Sequence, residues 1–113
     1  MVFESKRDMS SNDKFILDFD AYGFGLYNYS ILTRDTYYVR LDTDTKSIII
    51  YLYYTKDVFR LNKILQKGCK FNLSYIIDDS EVYNGLVVIE EVTLNLSKEN
   101  DHQPTVILYC ECE

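Results

Sequence analysis

The sequence has no tryptophan, one proline, one histidine and only four glycines among its 113 residues. Such scarcity of Pro and Gly excludes a linker-rich or low-complexity chain. No apolar run approaches the ~18 residues that a membrane-spanning helix needs. Residues 1–13 are polar and mixed in charge, without the apolar stretch of a secretory signal. The Asn-x-Ser sequons at Asn28, Asn72 and Asn95 are therefore read as accidental. The lone His102 lies in the polar stretch Asn100-Asp-His-Gln-Pro104, more like a turn than a site. Acid–base catalysis and zinc binding both draw heavily on histidine. There is also no G-x-S-x-G, no Gly-rich phosphate loop and no H-E-x-x-H. Asp42/Asp44 and Asp78/Asp79 read as turn residues. The expectation is a protein that binds rather than catalyses, with no metal and no cofactor.

Cysteine is scarce too: Cys69, Cys110 and Cys112, an odd number with a C-x-C pair. On a strand, residues two apart point the same way, which suits small buried hydrophobes. Reduced structural thiols in a cytoplasmic compartment are the expectation.

What is abundant is aromatic and apolar. Eleven Tyr and six Phe bring the aromatic share to 15%, within a hydrophobic share of 47%. That is enough apolar material for one domain with its own core. Tyrosine is amphipathic and suits strands and interfaces. Net charge is −6, unevenly spread: residues 1–33 carry −2, residues 34–70 carry +4 and residues 71–113 carry −8. Such asymmetry suggests a bipolar molecule.

Residues 1–13 read as a flexible arm and 14–113 as a single β-barrel-like domain. Phe15–Asp20 reads as a short strand or tether, and Tyr22–Gly25 as a turn or bulge. Alternation then marks strands at Leu26–Thr33, Thr36–Leu41 and Ser47–Tyr54, the last apolar on both faces. At Lys56–Lys67 the period becomes helical, with Val58, Leu61, Ile64 and Leu65 on one side. Thr55 suits the N-cap, and Lys67-Gly68 is a C-terminal signal. Strand patterning resumes at Phe71–Ile77, breaks at Asp78-Asp-Ser80, and returns at Leu86–Leu96 and Thr105–Cys112. Glu90 interrupts the Leu86/Val88/Val92/Leu94 face, which predicts a bulge there.

The fold class expected is mainly β: a five- to six-stranded antiparallel barrel with one helix between strands three and four. From Leu26 to Leu96 this element order resembles the OB-fold, a Greek-key barrel. The step Leu65-Gln-Lys-Gly-Cys-Lys-Phe-Asn-Leu73 resembles the entry to its fourth strand. The resemblance implies an N-terminal extension and an extra C-terminal strand.

OB-folds bind single strands or oligosaccharides over strands two and three. Single-strand binders set aromatic platforms beside basic groups, because every base has a stackable face. The resemblance therefore implies a nucleic-acid site at Tyr38, Arg40, Tyr51 and Tyr53, flanked by Arg34 and Lys46 and by Lys56, Arg60 and Lys63 of the helix. The first expectation is a single-stranded DNA-binding protein, such as an accessory subunit of a replication or repair complex. The overall negative charge opposes it, since affinity for phosphate comes largely from neutralisation. The alternative is a protein-interaction module with an acidic docking surface. Its Asn-, Ile-, Lys- and Tyr-rich vocabulary resembles that of phage proteins, so an inhibitor of a host enzyme is one form of this. Either way the partner is a single-stranded nucleic acid or a protein, not a membrane.

Overall fold

The computed structural model describes residues 1–6, 13–18, 30–31, 36–53, 65–95 and 105–113. Eight strands occur among them: β1 (Val2–Lys6), β2 (Lys14–Asp18), β3 (Ser30–Ile31), β4 (Thr36–Asp42), β5 (Ser47–Tyr53), β6 (Lys70–Ile77), β7 (Ser80–Asn95) and β8 (Thr105–Cys112). They form one sheet in the order β1-β4-β5-β8-β7-β6-β2-β3. Every neighbouring pair is antiparallel.

The alternation read from the sequence becomes the two faces of this sheet. Directly opposed residues in an antiparallel pair share a face. One face carries Val39, Leu41, Ile48, Ile50, Leu52, Leu108 and Cys110, and continues through Ile89, Val87, Phe71, Leu73 and Tyr75 to Leu17 and Phe15. These side chains form a single core cluster, and each aliphatic one contributes about 1.5–3 kcal/mol by leaving water.

A sheet can bury one face against itself only by curling. Edge strand β1 and strand β6 lie five places apart in the order, yet the buried Ser5 hydroxyl is 2.6 Å from the Tyr75 hydroxyl. Ser5 also donates to the Asp13 carboxylate. Since Ser5 has one proton, the chain runs from Tyr75 O–H to Ser5 O–H to Asp13. The ring of Tyr75 packs on Phe15, centroids 4.8 Å apart. The result is a half-barrel whose open seam is bridged by side chains.

Several expectations need correction. The sheet has eight strands, not five or six. Val2–Lys6, placed in the arm, is a strand paired along its length with β4. The last strand is not appended to a finished barrel: β8 lies in the middle of the sheet, between β5 and β7. Strand β7 begins at Ser80, not Leu86. Of the strand expected at Leu26–Thr33, only Ser30–Ile31 falls among the described residues. The helix expected at Lys56–Lys67 lies outside them except for Leu65–Lys67, which form a bend and the start of a turn. No helix occurs among the described residues, so none there is long and apolar enough to cross a membrane.

Other local readings hold. Gly68 has φ +90°, a conformation L side chains rarely adopt, in the turn before β6. The register shifts between Ile89 and Glu91, where a bulge was expected. It changes which side chains go inward. Val87 and Ile89 are inward before it, Val92 packs on the core after it, and Glu90 and Glu91 are both exposed. Leu86 and Val88 thus do not share a face with Val92 and Leu94.

Candidate binding face

The reverse of β4, β5 and β8 is the face of interest, because the core does not use it. The register places its residues in rows across the sheet. One row runs Lys6, Tyr38, Tyr51, Ile107, Thr93. The next runs Glu4, Arg40, Ile49, Tyr109, Glu91. A third runs Val2, Asp42, Ser47, Glu111, Val88. At the centre sit Ile49, Tyr51, Ile107 and Tyr109, an apolar and aromatic patch on the wrong side of the sheet to join the core. Ile107 is only 9% exposed and yet stands apart from the core cluster. Ile49, Tyr51, Tyr53 and Tyr109 are half-buried. β-Branched and aromatic residues explain both the strands and the patch, since they pack well on a pleated surface.

Tyr38 and Tyr51 meet edge to face, with ring centroids 5.4 Å apart and planes at 74°. The Tyr38 hydroxyl donates to Glu4 Oε2 at 2.6 Å across the β1–β4 pair. Partial burial, then the hydrogen bond to Glu4 and the charge of that carboxylate, push the Tyr38 hydroxyl up to about 12. Arg40 lowers it in part, and the raised value keeps the hydroxyl protonated and donating to Glu4.

Of the residues expected to bind nucleic acid, Tyr38, Arg40, Tyr51 and Tyr53 all lie on this one face. Lys46 is exposed in the β4–β5 turn, with φ 57°. Arg34, Lys56, Arg60 and Lys63 lie outside the described residues. Ile49 was read from the sequence onto the face of Tyr51 and Tyr53, whereas Glu4, Ile107, Tyr109, Glu91 and Glu111 were not seen as members of it. Ile107 and Tyr109 alternate visibly within Thr105–Cys112, but only the position of β8 beside β5 brings them to Tyr51 and Ile49.

The turn that ends β4 is held locally. Asp42 Oδ1 accepts the N–H of Asp44 at 3.0 Å and of Thr45 at 3.4 Å. Burial raises the Asp42 carboxyl, but these two donors, with the N-terminal ammonium and Arg40 nearby, outweigh it and leave the group below its usual value. That is a structural role, as expected of an acidic turn residue.

The thiols are buried where the C-x-C spacing put them. Cys110 lies in the core and Cys112 is half-buried two residues on. Burial pushes both thiols upward, away from the thiolate that reacts or ligates metal. Among the described residues, no group of three His, Cys, Asp or Glu is placed to hold a metal ion. Comparison with family models, with curated proteins and with solved structures found no match.

Proposed function

We propose that this chain is a binding module that holds a partner protein on the outer face of β4, β5 and β8. The observation that carries this reading is the half-buried group Ile49, Tyr51 and Tyr109, set around the buried Ile107 on the side of the sheet opposite the core. Aromatic anchors ringed by polar groups are the usual make-up of a protein interface centre. Carboxylates at Glu4, Asp42, Glu91 and Glu111 outnumber the cations Lys6 and Arg40 in the three rows around it. A phosphate backbone meets repulsion from such a rim.

The test is affinity purification from the native host with the wild type and with Ile49→Asp, both checked by circular dichroism. A protein retained by the wild type and lost with Ile49→Asp at unchanged melting supports the reading. Equal retention by both contradicts it.

A second reading, an OB-like single-strand binder, is favoured by one observation. Tyr38 and Tyr51 form an aromatic pair with Arg40 on the same face. Its test is anisotropy of a labelled single-stranded oligonucleotide at low and near-physiological salt. Saturable, salt-weakened binding that falls at least tenfold in Tyr51→Ala would establish it in place of the first.

A further inference from the structure

Strand β1 is held differently from the strands beyond it. It stands at one end of the sheet order and pairs with β4 alone. Val2, Glu4 and Lys6 are exposed, and Phe3 only packs against the outside of the core cluster. By contrast β2 and each of β4 to β8 bring at least two buried apolar side chains. At the Met1 end of β1 the ammonium meets Asp44 Oδ2 at 2.9 Å, but both groups are exposed and such a pair contributes little.

The one buried side chain of β1 is Ser5, opposite Val39 and 5% exposed. It is held by polar contacts: the fully buried Tyr75 hydroxyl at 2.6 Å on β6, and the Asp13 carboxylate at the start of β2. An apolar side chain in this place would be retained by the hydrophobic effect. A hydroxyl is retained by hydrogen bonds that water replaces on opening, so each adds only modestly to the closed state. A satisfied buried network of this kind fixes one arrangement of the groups it joins.

We infer that β1 is a strap that opens as a unit while the rest of the sheet stays folded, with Ser5 as its latch on Tyr75 and Asp13. Release makes β4 the edge of the sheet, and Val39 and Leu41 lose the residues opposite them. It also takes Glu4 away from the Tyr38 hydroxyl, so one strand couples the seam inside to the face outside. The strap does not depend on what that face binds.

The test is amide hydrogen exchange of the full chain at constant pH over a series of low urea concentrations. The expected result is that the β1 amides bonded to β4 exchange together, at least tenfold less protected than the slowest amides of β5 and β8, and with a much smaller dependence on urea. Ser5→Ala and Tyr75→Phe should each speed these β1 amides about fivefold to tenfold, the loss of one hydrogen bond. Ile89→Val, a core change that the open strap leaves in place, should speed the slowest amides of β5 and β8 and not those of β1. If the β1 amides share the urea dependence of β5 and β8, β1 leaves only on global unfolding and the strap is overturned. If Ile89→Val speeds β1 as much as β5 and β8, the strap is likewise overturned. If Ser5→Ala leaves the β1 amides unchanged, Ser5 is not the latch.

Discussion

At the residue scale, two sites combine local strain or burial with a measurable consequence. Asp78 and Asp79 form the two-residue loop between β6 and β7, and both have positive φ, 49° and 65°. That geometry matches a type I′ hairpin turn, which favours Asn-Gly. Non-Gly residues in this region cost on the order of 1–3 kcal/mol each, with Asp among the less penalised. Replacing both, Asp78→Asn with Asp79→Gly, is expected to stabilise the fold by about 1 kcal/mol, read as a higher urea midpoint at unchanged m-value. An unchanged or lower midpoint would show that the turn is not strained. Tyr75 is the second site. Its burial, offset in part by the hydrogen bond with Ser5 and reinforced by the charges of Asp13 and Glu4, pushes its hydroxyl from 10.0 up to about 12. Between those values the unfolded chain has lost a proton that the folded chain still holds. The stability linked to this group is therefore complete below pH 10 and is lost as pH rises toward 12, by on the order of 2 kcal/mol. Urea unfolding from pH 8 to 12 should show a steeper decline for the wild type than for Tyr75→Phe. Parallel curves would remove Tyr75 from the account.

At the element scale, β8 separates this fold from the one its element order suggested. An appended sixth strand is dispensable in principle, whereas a central strand is not. Residues Thr105–Cys112 pair with β5 on one side and β7 on the other, and bring Val106, Leu108 and Cys110 into the core. Truncation before Thr105 is expected to abolish the cooperative thermal transition. A truncated chain that still melts cooperatively would contradict the sheet order. The strands themselves were legible because alternation of side chains survives in one dimension: Ser47–Tyr53 alternates between half-buried and buried along its length, and so does β6 from Phe71 to Ile76. The bulge was legible because a glutamate cannot stay on an apolar face. Strand order was not legible, because pairing between residues 47–53 and 105–111 leaves no local trace. The strand at Val2–Lys6 was hidden by Glu4, Ser5 and Lys6. Those polar residues suit an edge strand as well as they suit an arm.

At the scale of the whole molecule, one curled sheet does two things. Its concave side makes the core, closed at the seam by Ser5, Tyr75 and Asp13. Its convex side at β4, β5 and β8 gathers Tyr38, Tyr51, Tyr109, Ile49 and the buried Ile107, with the carboxylates of Glu4, Asp42, Glu91 and Glu111 and the cations of Lys6 and Arg40 around them. Half of the candidate site, Tyr38, Arg40, Tyr51 and Tyr53, was visible as outward positions on consecutive strands. The other half comes from β1, β7 and β8 and exists only once the sheet is assembled. That half brings Glu4, Glu91 and Glu111, carboxylates that oppose a phosphate backbone, together with Lys6. The measurement that tests this most directly is photo-crosslinking in the native host from a benzoylphenylalanine placed at Ile49, beside the same probe at Ile16 on the outer side of β2. The account predicts a discrete protein adduct from position 49 that is absent from position 16 and lost when Tyr109→Ala is added. A crosslink to nucleic acid from position 49, or the same protein adduct from both positions, would contradict it.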